Sequence, residues 1–395
     1  MAPTKNNLLT INGGSSSIKF ALYQNEASLT LVFSGSIENI GTKNTTFNFT
    51  DTIDKKEKNS AVKINDFDEA ANYLLHWLEQ VPGFDLVKAV GHRIVYGMQH
   101  IKAERVSAKL LAGLKKLRPY DPEHAPGEIK LIELFAKRHP AFIQVACFDT
   151  AFHTTMPLVA KQLPIPRKYF EMGIQRYGFH GLSYQYLMQQ LHSIAGKKTA
   201  NGKIILAHLG SGASIAAVKN GHCIDTSMGF TPTAGLVMGT RTGDLDPGVA
   251  WYLLQVKKLT PAKFNQLVNH QSGLLGISQT SADMKELVAL KNKDTRAAEA
   301  FELFCYQAKK FIGAYTAALE GLDTLVFAGG IGEHSPAVRS QVCKGLTYLG
   351  LELDETKNRH SEAIISSAAS KITVRVMRTN EQLMIARLVH DLLGM

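Results

Sequence analysis

The sequence predicts an α/β protein whose two domains are related by duplication. The chain has 395 residues, which is long for one hydrophobic core and suits two domains. The stretch "LLTINGGSSSIKFALYQ" in the first half has a counterpart in the second, "IILAHLGSGASIAAVKNG". Both indicate two apolar strands joined by a turn of small residues. Strand-like and helix-like segments then alternate in both halves, which is typical of α/β folds.

The two stretches align without gaps at a separation of half the chain, as gene duplication would leave them. The alignment pairs three identical residues: Gly13 with Gly210, Ser17 with Ser214, and Ile18 with Ile215. Glycines let the backbone approach a ligand closely, and the serines add hydroxyl donors. Two such hairpins would hold neighbouring phosphates of a nucleotide with backbone N–H groups. A serine-rich surface turn is the alternative for either hairpin taken alone.

After the first hairpin, segments with the hydrophobic spacing of a strand alternate with segments that have the spacing of a helix. Phe47, Phe49 and Ile53 alternate with polar residues, which predicts a half-buried strand. Apolar residues at helical spacing predict a helix over "FDEAANYLLHWLEQV". The strand "VKAVGHRIV", the helix "GEIKLIELFAKRH" and the strand "FIQVACF" follow.

The second half repeats this order of elements. A long helix is predicted over "DTRAAEAFELFCYQAKKFIGAYTAALEG", followed by the strand "TLVFAGG" and a helix from Ser335 to about Leu349. A last strand, "ITVRVM", precedes the helix "NEQLMIARLVHDLLG".

Composition and charge narrow the classes of function. The net charge of +10 fits nucleic acid, a membrane surface or an anionic small substrate. The lysines are scattered without a long basic tract, which favours the small substrate. No apolar run reaches the roughly 18 residues of a membrane span, and the polar N-terminus predicts no signal peptide. The four cysteines lack metal-site spacing and disulfide density, so we expect a cytoplasmic protein.

Reactive residue types gather at the ends of predicted strands, where open α/β sheets bind ligands. Arg93 lies in the apolar strand "GHRIVYG" and needs an anion there, either a substrate or a structural carboxylate. Asp149 follows a strand in "CFDTAFH", with a helix cap as the alternative. His180 lies between glycines in "RYGFHGLS", where a solvated loop histidine is the alternative.

Two glycine-rich stretches complete the candidate site. "MGFTPTAGLVMGTRTGDLDPG" carries Arg241 among apolar residues that would anchor it, and "FAGGIGEHSP" leads from a strand through a turn into a helix. The chain has neither a Walker A nor a Rossmann glycine motif. Two arginines, a carboxylate, a histidine and two anion-binding hairpins suit phosphoryl transfer to a small acceptor, which depends on positioning and charge neutralisation.

Six motifs, in order, resemble the acetokinase family, which belongs with actin, the sugar kinases and Hsp70. They are "NGGSSSIKF", "FDTAFH", "RYGFHG", "MGFTPTAGLVMGTRTGDLDPG", "GGIGEH" and "TNEQLMIAR". The resemblance implies a duplicated, actin-like (ribonuclease H-like) two-domain fold with a central cleft. The N-terminal domain would cover residues 1–150, with the C-terminal helix 382–395 packed on it. Residues 151–381 would form the nucleotide-binding domain.

The resemblance also implies an activity. It is the reversible, direct in-line transfer of the ATP γ-phosphoryl group to acetate, giving acetyl phosphate and ADP, with Mg²⁺ or Mn²⁺ as cofactor. A cytoplasmic homodimer without nucleic-acid or membrane partners is expected. A propionate or butyrate kinase of the same family is the near alternative. A non-catalytic nucleotide switch of the actin or Hsp70 type is a distant one, since it would lack two arginines poised for a carboxylate.

The functional residues of the family map onto matching positions of this sequence. Catalytic roles fall to Arg93, Asp149, His180 and Arg241. The acyl substrate is expected at Arg93, Val95, His124, Phe179 and Pro232. The nucleotide is expected at Asn12, Ser15, Ser17, Lys19, His208, Gly210, Ser211, Gly212, Asp283, Met284, Lys285, Gly329, Gly330, Ile331 and Gly332. The metal is expected at Asn12 and Glu381.

Several positions depart from the family pattern, including Ala125, which stands in place of an asparagine. Glu123 replaces an apolar residue of the acyl pocket, and Ser211 replaces an asparagine of the second hairpin. Lys285 stands in place of an arginine on the adenine side, and His334 in place of an asparagine. These departures leave the acyl chain length and the nucleotide preference open. For Glu123, pairing with a cation such as Arg93, rotation into solvent and protonation are all possible.

Overall fold

The computed structural model of the chain describes residues 6–26, 28–52 and 55–395. Ile53, the last residue of the predicted alternating strand, lies outside them. The described chain divides into two compact units. The first runs to Ala151 and includes Asn380–Met395, and the second is Phe152–Thr379.

The first unit contains one mixed sheet. Its described strands are β1 (Asn6–Gly13), β2 (Ile18–Asn25), β3 (Leu29–Glu38), β4 (Thr46–Asp51), β5 (Lys56–Ala61), β6 (Val87–Ile94), β7 (Glu104–Arg105) and β8 (Ile143–Phe148). The order across the sheet is β5-β4-β3-β2-β1-β6-β8-β7. Strands β1 to β5 pair antiparallel, whereas β1, β6 and β8 run parallel.

The second unit repeats the central part of this sheet. Its described strands are β9 (Lys203–Leu209), β10 (Ala213–Lys219), β11 (His222–Thr226), β12 (Thr324–Ala328) and β13 (Thr373–Val376). Their order is β11-β10-β9-β12-β13, with β9 to β11 antiparallel and β9, β12 and β13 parallel. This matches β3-β2-β1-β6-β8 in both order and direction. The predicted duplication is therefore confirmed as a repeated topology.

The residue-for-residue alignment of the two hairpins is wrong. Gly13 pairs with Ile18 across the first hairpin, so the aligned Gly210 should pair with Ile215. Instead, Ile215 pairs with Ala207 and Gly210 lies in the turn. The second turn is shorter than the first, so the small residues of the two turns match in type but not in position.

Helices flank both sheets. In chain order they are α1 (Phe67–Leu78), α2 (Ala108–Lys116), α3 (Ala125–Arg138), α4 (Leu158–Lys161), α5 (Arg167–Glu171), α6 (Gly181–Ala200), α7 (Pro247–Gln255), α8 (Pro261–His270), α9 (Gly273–Ser278), α10 (Met284–Leu290), α11 (Thr295–Leu319), α12 (Gly329–His334), α13 (Pro336–Cys343), α14 (Glu355–Arg359) and α15 (Glu381–Leu393). None of the helices in the described part of the chain combines the length and apolar character needed to cross a membrane.

Successive residues of β2 pack against different helices. Phe20 belongs to a buried core that includes Leu74 of α1. The neighbouring Ala21 packs instead with Ala386 of α15. Successive side chains of a strand point to opposite faces, so α1 and α15 cover opposite faces of the first sheet. Glu381 therefore belongs to the first unit, although the predicted boundary assigned it to the second domain.

Two helix boundaries differ from the prediction. The helix predicted from Ser335 to Leu349 ends at Cys343, and Gly345 follows with a left-handed backbone, φ +86°. "GGIGEH", predicted as a turn into a helix, is itself α12. A proline disfavours helical backbone in the residue before it. The chain accordingly leaves the helix at Ser335, φ −115° and ψ 89°, before Pro336 opens α13.

We expect Gly91→Ala to destabilise the first unit. A methyl group there would lie 2.5 Å from Ile385 Cγ2 and 2.7 Å from Val389 Cγ2 of α15. Overpacking of this kind costs about 1–3 kcal/mol of unfolding free energy, measured by urea denaturation followed by circular dichroism. Gly113→Ala in α2 is the matched control, because no heavy atom lies within 4 Å of its added methyl. Equal midpoints for the two variants would contradict the packing described for α15.

Candidate active site

A largely buried guanidinium lies in a cluster of four residues of the first unit that the sequence predicts for the site. Arg93 donates from Nε to Asp149 Oδ2 at 3.0 Å and from Nη1 to Asn12 Oδ1 at 3.0 Å. Its Nη2 also donates to Asp149. Asn12 Nδ2 in turn donates to Glu381 Oε2 at 3.0 Å. Arg93, Asp149, Asn12 and Glu381 thus form one hydrogen-bonded cluster.

The topology explains why these residues meet. Strands β1, β6 and β8 are parallel neighbours, so their carboxyl ends share one edge of the sheet. The Arg93 side chain is only 15% exposed and Asp149 is fully buried. Burial alone would lower the pKa of Arg93, but the charges of Asp149 and Glu381 raise it above the ordinary value. Arg93 is therefore a cation whose orientation is fixed by the Asp149 carboxylate and the Asn12 amide oxygen.

The turn of the first hairpin lies beside this cluster. Gly14 N–H donates to Ser17 O at 2.7 Å, which closes the turn. Ser15 is exposed, and Lys19 is exposed on β2 opposite Asn12. Exposed hydroxyl groups and a lysine next to an open turn suit an anionic ligand.

Two buried acids support the predicted acyl side, and sequence reasoning missed both. His124 precedes α3, and its Nδ1 lies 2.9 Å from Asp121 Oδ1. Glu128 Oε1 accepts a hydrogen bond from Val95 N–H at 2.9 Å. Burial, and then the charge of Asp121, raise the pKa of Glu128 well above its usual range. The sequence did contain a signal for Glu128. It stands four residues before Ile132 and therefore on the apolar face of α3, where an acidic residue is unusual.

Glu123, the acidic departure from the family pattern, has different surroundings from its neighbour His124. It is half-buried and lines a cavity of about 250 Å³. Ser15 of the first hairpin turn lines the same cavity, together with the cations Arg118 and Lys130 and the carboxylates of Asp68 and Glu133. Lys130 is already paired with Asp68, so Glu123 lies in surroundings of mixed charge, whereas His124 is turned towards a buried carboxyl group.

The second unit brings two histidines together. His180 precedes α6 with a left-handed backbone, φ 59°, and its Nδ1 lies 2.9 Å from Ser214 Oγ of β10. Its ring stacks on that of His208 with the centroids 4.4 Å apart. His208 Nδ1 lies 2.8 Å from Ser183 Oγ. The predicted catalytic histidine is thus held in a fixed orientation rather than solvated in a loop.

The turn of the second hairpin contacts both His180 and Arg241. A Cβ atom on Gly212 would lie 3.3 Å from His180 Nε2 and 3.7 Å from Arg241 Nη1. Glycine therefore leaves this space open. Arg241 also donates from Nη1 to Pro232 O at 3.3 Å. Ser211 O accepts from Gly239 N–H at 3.0 Å, which anchors the turn.

The glycines of α12 pack directly against the same hairpin. Gly329 has φ +76°, and a Cβ there would lie 2.7 Å from Leu209 O. Gly330 N lies 3.9 Å from where a Cβ on Gly210 would be. Glu333 Oε1 accepts from Gly329 N–H at 3.0 Å, which fixes the start of the helix. Ile331 and Gly332 continue the same turn of α12.

The predicted adenine-side residues lie next to the anchored loop. A Cβ on Gly239 would lie 3.3 Å from Ala282 O. Asp283 follows and caps α10, because its Oδ1 accepts from Lys285 N–H at 2.8 Å. Met284 is buried and Lys285 is exposed. The structure thus brings most of the predicted nucleotide residues of the second unit around one hairpin turn.

The backbone at Phe179 is held by a histidine that sequence reasoning did not select. Burial lowers the pKa of His153 to about 4, so its ring is neutral. Its Nε2–H donates to Phe179 O at 2.9 Å, and its Nδ1 lies 3.2 Å from Cys223 Sγ. Gly178 has φ +75°, and a Cβ there would meet the His153 ring at 2.7 Å. The buried Phe179 and the half-buried Pro232 belong to the second unit, whereas the buried Val95 belongs to the first.

No group of three or more His, Cys, Asp or Glu side chains in the described residues is arranged to hold a metal ion. Glu381 offers a carboxylate oxygen and Asn12 an amide oxygen; Asn12 Nδ2 donates to Glu381, and the amide oxygen also accepts from Arg93. Mg²⁺ takes oxygen ligands and usually keeps waters and substrate phosphates around one or two carboxylates. The donor set therefore fits Mg²⁺ bound together with a nucleotide.

Sequence similarity decides the family. The model of the acetokinase family matches residues 7–387. The chain belongs to the acetokinase family. An acetate kinase from Rhodopseudomonas palustris (strain TIE-1) is 41% identical over 387 residues, which cover 96% of each chain.

Solved structures agree with the acetokinase assignment. The acetate kinase of Porphyromonas gingivalis is 34% identical with a TM-score of 0.87, over 98% of this chain and 100% of that one. A propionate kinase from Francisella tularensis is 36% identical with a TM-score of 0.90, over 97% and 98%. The resemblance predicted from six motifs, the duplicated actin-like fold class and the prediction of a kinase enzyme are confirmed.

We expect Glu128→Gln to make stability less dependent on pH. Because burial raises the pKa of Glu128, the folded chain holds a proton that the unfolded chain releases above its ordinary pKa of 4.5. The stability that the neutral acid provides is complete below that pH and is lost as the pH rises. Glutamine keeps an acceptor for Val95 N–H and cannot ionise. The urea midpoint of Glu128→Gln should therefore rise relative to that of the wild type as the pH increases from about 5 to about 8.

Glu133→Gln is the matched control for this experiment. Glu133 lies on the same helix with its carboxylate exposed and paired with Lys115. Its variant should show no comparable gain. An equal gain for both variants would mean that burial of Glu128 is not the cause.

Proposed function

We propose that this chain transfers the γ-phosphoryl group of ATP to acetate, giving acetyl phosphate and ADP, in a reversible reaction. The observation that carries the proposal is the state of two arginines. Arg93 is a largely buried cation whose direction is set by Asp149, and Arg241 lies beside His180 at the second hairpin turn. Membership of the acetokinase family supports the same reaction class.

The transfer proceeds by direct in-line displacement. A carboxylate oxygen of acetate attacks the γ-phosphorus, the bond to the β–γ bridging oxygen breaks, and its electron pair leaves with ADP. Negative charge spreads over the three equatorial oxygens in the transition state. Arg93 and Arg241 neutralise the acceptor carboxylate and the transferring group, and His180 donates a hydrogen bond to an equatorial oxygen. Asp149 acts by orienting Arg93.

The residues around the second hairpin bind the nucleotide in this proposal. Gly210, Ser211 and Gly212 form the turn, and the glycines of α12 pack against it without side chains that would fill the space. Ser15, Ser17 and Lys19 contact phosphate from the first hairpin. Mg²⁺ held at Asn12 and Glu381 would neutralise charge on the β- and γ-phosphates.

Propionate kinase activity is the second candidate. It stays open because the acetokinase family includes propionate kinases, such as that of Francisella tularensis, which shares this fold with a TM-score of 0.90. In this proposal Val95 of the first unit and Phe179 and Pro232 of the second each contribute apolar surface to the binding of the acyl group. The identity of the acid is therefore decided by comparing substrates.

We also infer a cytoplasmic homodimer that binds neither nucleic acid nor membranes. The scattered lysines and the four buried, unpaired cysteine thiols support the location and the absence of those partners. Helix α7 supports the dimer, because none of its residues is buried and Trp251 is 64% exposed. Val249, Tyr252 and Val256 add to this apolar surface, of the kind that second subunits cover.

We expect Arg241→Ala and Arg93→Ala each to lower kcat by about 10²- to 10³-fold, because each removes a fixed donor to developing charge. The assay traps acyl phosphate as hydroxamate in the presence of ATP, Mg²⁺, acetate and hydroxylamine. Arg105→Ala is the control, since Arg105 is exposed on β7 and lies outside the proposed site.

Arg93→Ala also leaves the buried Asp149 without its ion pair, so circular dichroism must accompany the kinetics. If the Arg93 variant unfolds, Arg241→Ala decides alone. Activity of a folded Arg241 variant within a few-fold of the wild type would refute the proposed role. Absence of hydroxamate in the wild type with acetate, propionate and butyrate would refute the kinase proposal.

We expect kcat/KM to fall from acetate to propionate to butyrate. Each methylene that a small apolar pocket must reject is worth roughly 1–3 kcal/mol. The three acids are compared in the wild type and in Glu123→Leu, which restores an apolar residue at this position of the family pattern. A preference of the wild type for propionate or butyrate would change the substrate assignment. An acetate KM unchanged by Glu123→Leu would place Glu123 outside the acyl site.

A further inference from the structure

Two buried hydroxyl groups lie in line behind His180. Ser214 Oγ is 2.9 Å from His180 Nδ1 and is also hydrogen-bonded to the hydroxyl of Tyr184. Ser214 and Tyr184 are both fully buried. Tyr184 lies one helical turn after His180 on α6, and its N–H donates to His180 O at 3.0 Å. The inner side of the His180 ring therefore faces a chain of two hydroxyl groups and no bulk water.

The relative donor strengths of the two hydroxyl groups decide the direction of the hydrogen bonds from Tyr184 through Ser214 to His180. Each hydroxyl has one proton to donate, and a neutral imidazole has one N–H. A phenol is a stronger donor than an aliphatic alcohol, so Tyr184 donates to Ser214. Ser214 then donates its own proton to the lone pair of His180 Nδ1. The ring proton of His180 is left on Nε2.

His180 Nε2 faces the second hairpin turn. It lies 3.3 Å from where a Cβ on Gly212 would be, and Arg241 Nη1 lies 3.7 Å from the same point. An N–H at this position is a second donor beside the guanidinium. A ring with its proton on Nδ1 would present a lone pair there instead, which repels an anionic oxygen.

His208, stacked on His180, is held in the same way. Its Nδ1 lies 2.8 Å from Ser183 Oγ, and Ser183 Oγ lies 2.7 Å from Thr379 Oγ1. Two stacked imidazolium rings would repel each other at a centroid distance of 4.4 Å. The stacking therefore disfavours positive charge on both rings at once, and the Nδ1 atom of each ring faces a hydroxyl group rather than a carboxylate.

We propose that Tyr184 and Ser214 are positioning residues that hold His180 in its Nε2–H tautomer. His180 then presents a hydrogen-bond donor at the second hairpin turn. The identity of the acceptor, an oxygen of the transferring phosphoryl group, rests on the proposed function. The tautomer itself does not.

The direct test is two-bond ¹H–¹⁵N correlation spectroscopy on the full chain with ¹⁵N-labelled histidine, with His180 assigned from the spectrum of His180→Asn. The wild type should show a pyridine-type Nδ1 and a pyrrole-type Nε2. Ser214→Ala removes the donor to Nδ1 and should give a mixture of tautomers. Tyr184→Phe should have a smaller effect, because the Ser214 hydroxyl remains. Thr316→Val, which removes a buried hydroxyl that donates to Ile312 O on α11, should leave the His180 signals unchanged.

Kinetics give a second, independent readout. Ser214→Ala should lower kcat by about tenfold, the effect of losing a partner that orients a functional histidine. KM for acetate and ATP should change little, because the donor acts mainly on charge that develops in the transition state. A pyrrole-type Nδ1 in the wild type, or identical His180 signals in the wild type and Ser214→Ala, would overturn the proposal. A wild type without kinase activity would refute the proposed function, and the spectrum would still decide the tautomer.

Discussion

The first unit depends on the burial of one positive charge at the edge where its parallel strands end. Arg93 leaves β6 with its side chain mostly out of water, and such a guanidinium is tolerated only with partners. Asp149, which follows β8, supplies the compensating negative charge, and Asn12 of β1 supplies a further hydrogen-bond acceptor. Asn12 then connects to Glu381, the first residue of α15. Three strands and the closing helix are therefore held together by contacts of the residues proposed to act on substrate.

The periodicity of the sequence predicted the fold because buried and exposed residues alternate as each element requires. Local features that override periodicity were not predictable in the same way. Pro336 and Gly345 set helix ends within one continuous helical pattern. The hairpin alignment failed because glycine and serine suit any tight turn, so matches of Gly13 and Ser17 report composition and not register. The topology of the sheets, which depends on many weak preferences together, was nevertheless duplicated as predicted.

The residues of the candidate site also fall into a group that the sequence indicated and a group that it did not. Residues proposed to touch substrate stand in motifs of unusual composition, so the sequence indicated Arg93, His180 and Arg241. Their supports, such as Glu128 and Ser214, are ordinary residues on an apolar helix face or inside a strand. What makes them matter is a neighbour distant along the chain: Val95 N–H for Glu128, and the His180 ring for Ser214. Only the fold brings these partners together, so no local pattern could have identified them.

The chain order of the first unit has a consequence for how the protein is made. Its sheet comes from the first part of the chain, but α15, which covers one face, is synthesised only after the whole second unit. The second unit is one continuous stretch and is synthesised before α15. Nascent chains fold domain by domain as each becomes complete. Here the N-terminal sheet must wait with one apolar face uncovered, around Ala21 and Tyr23, while the later unit is able to close first.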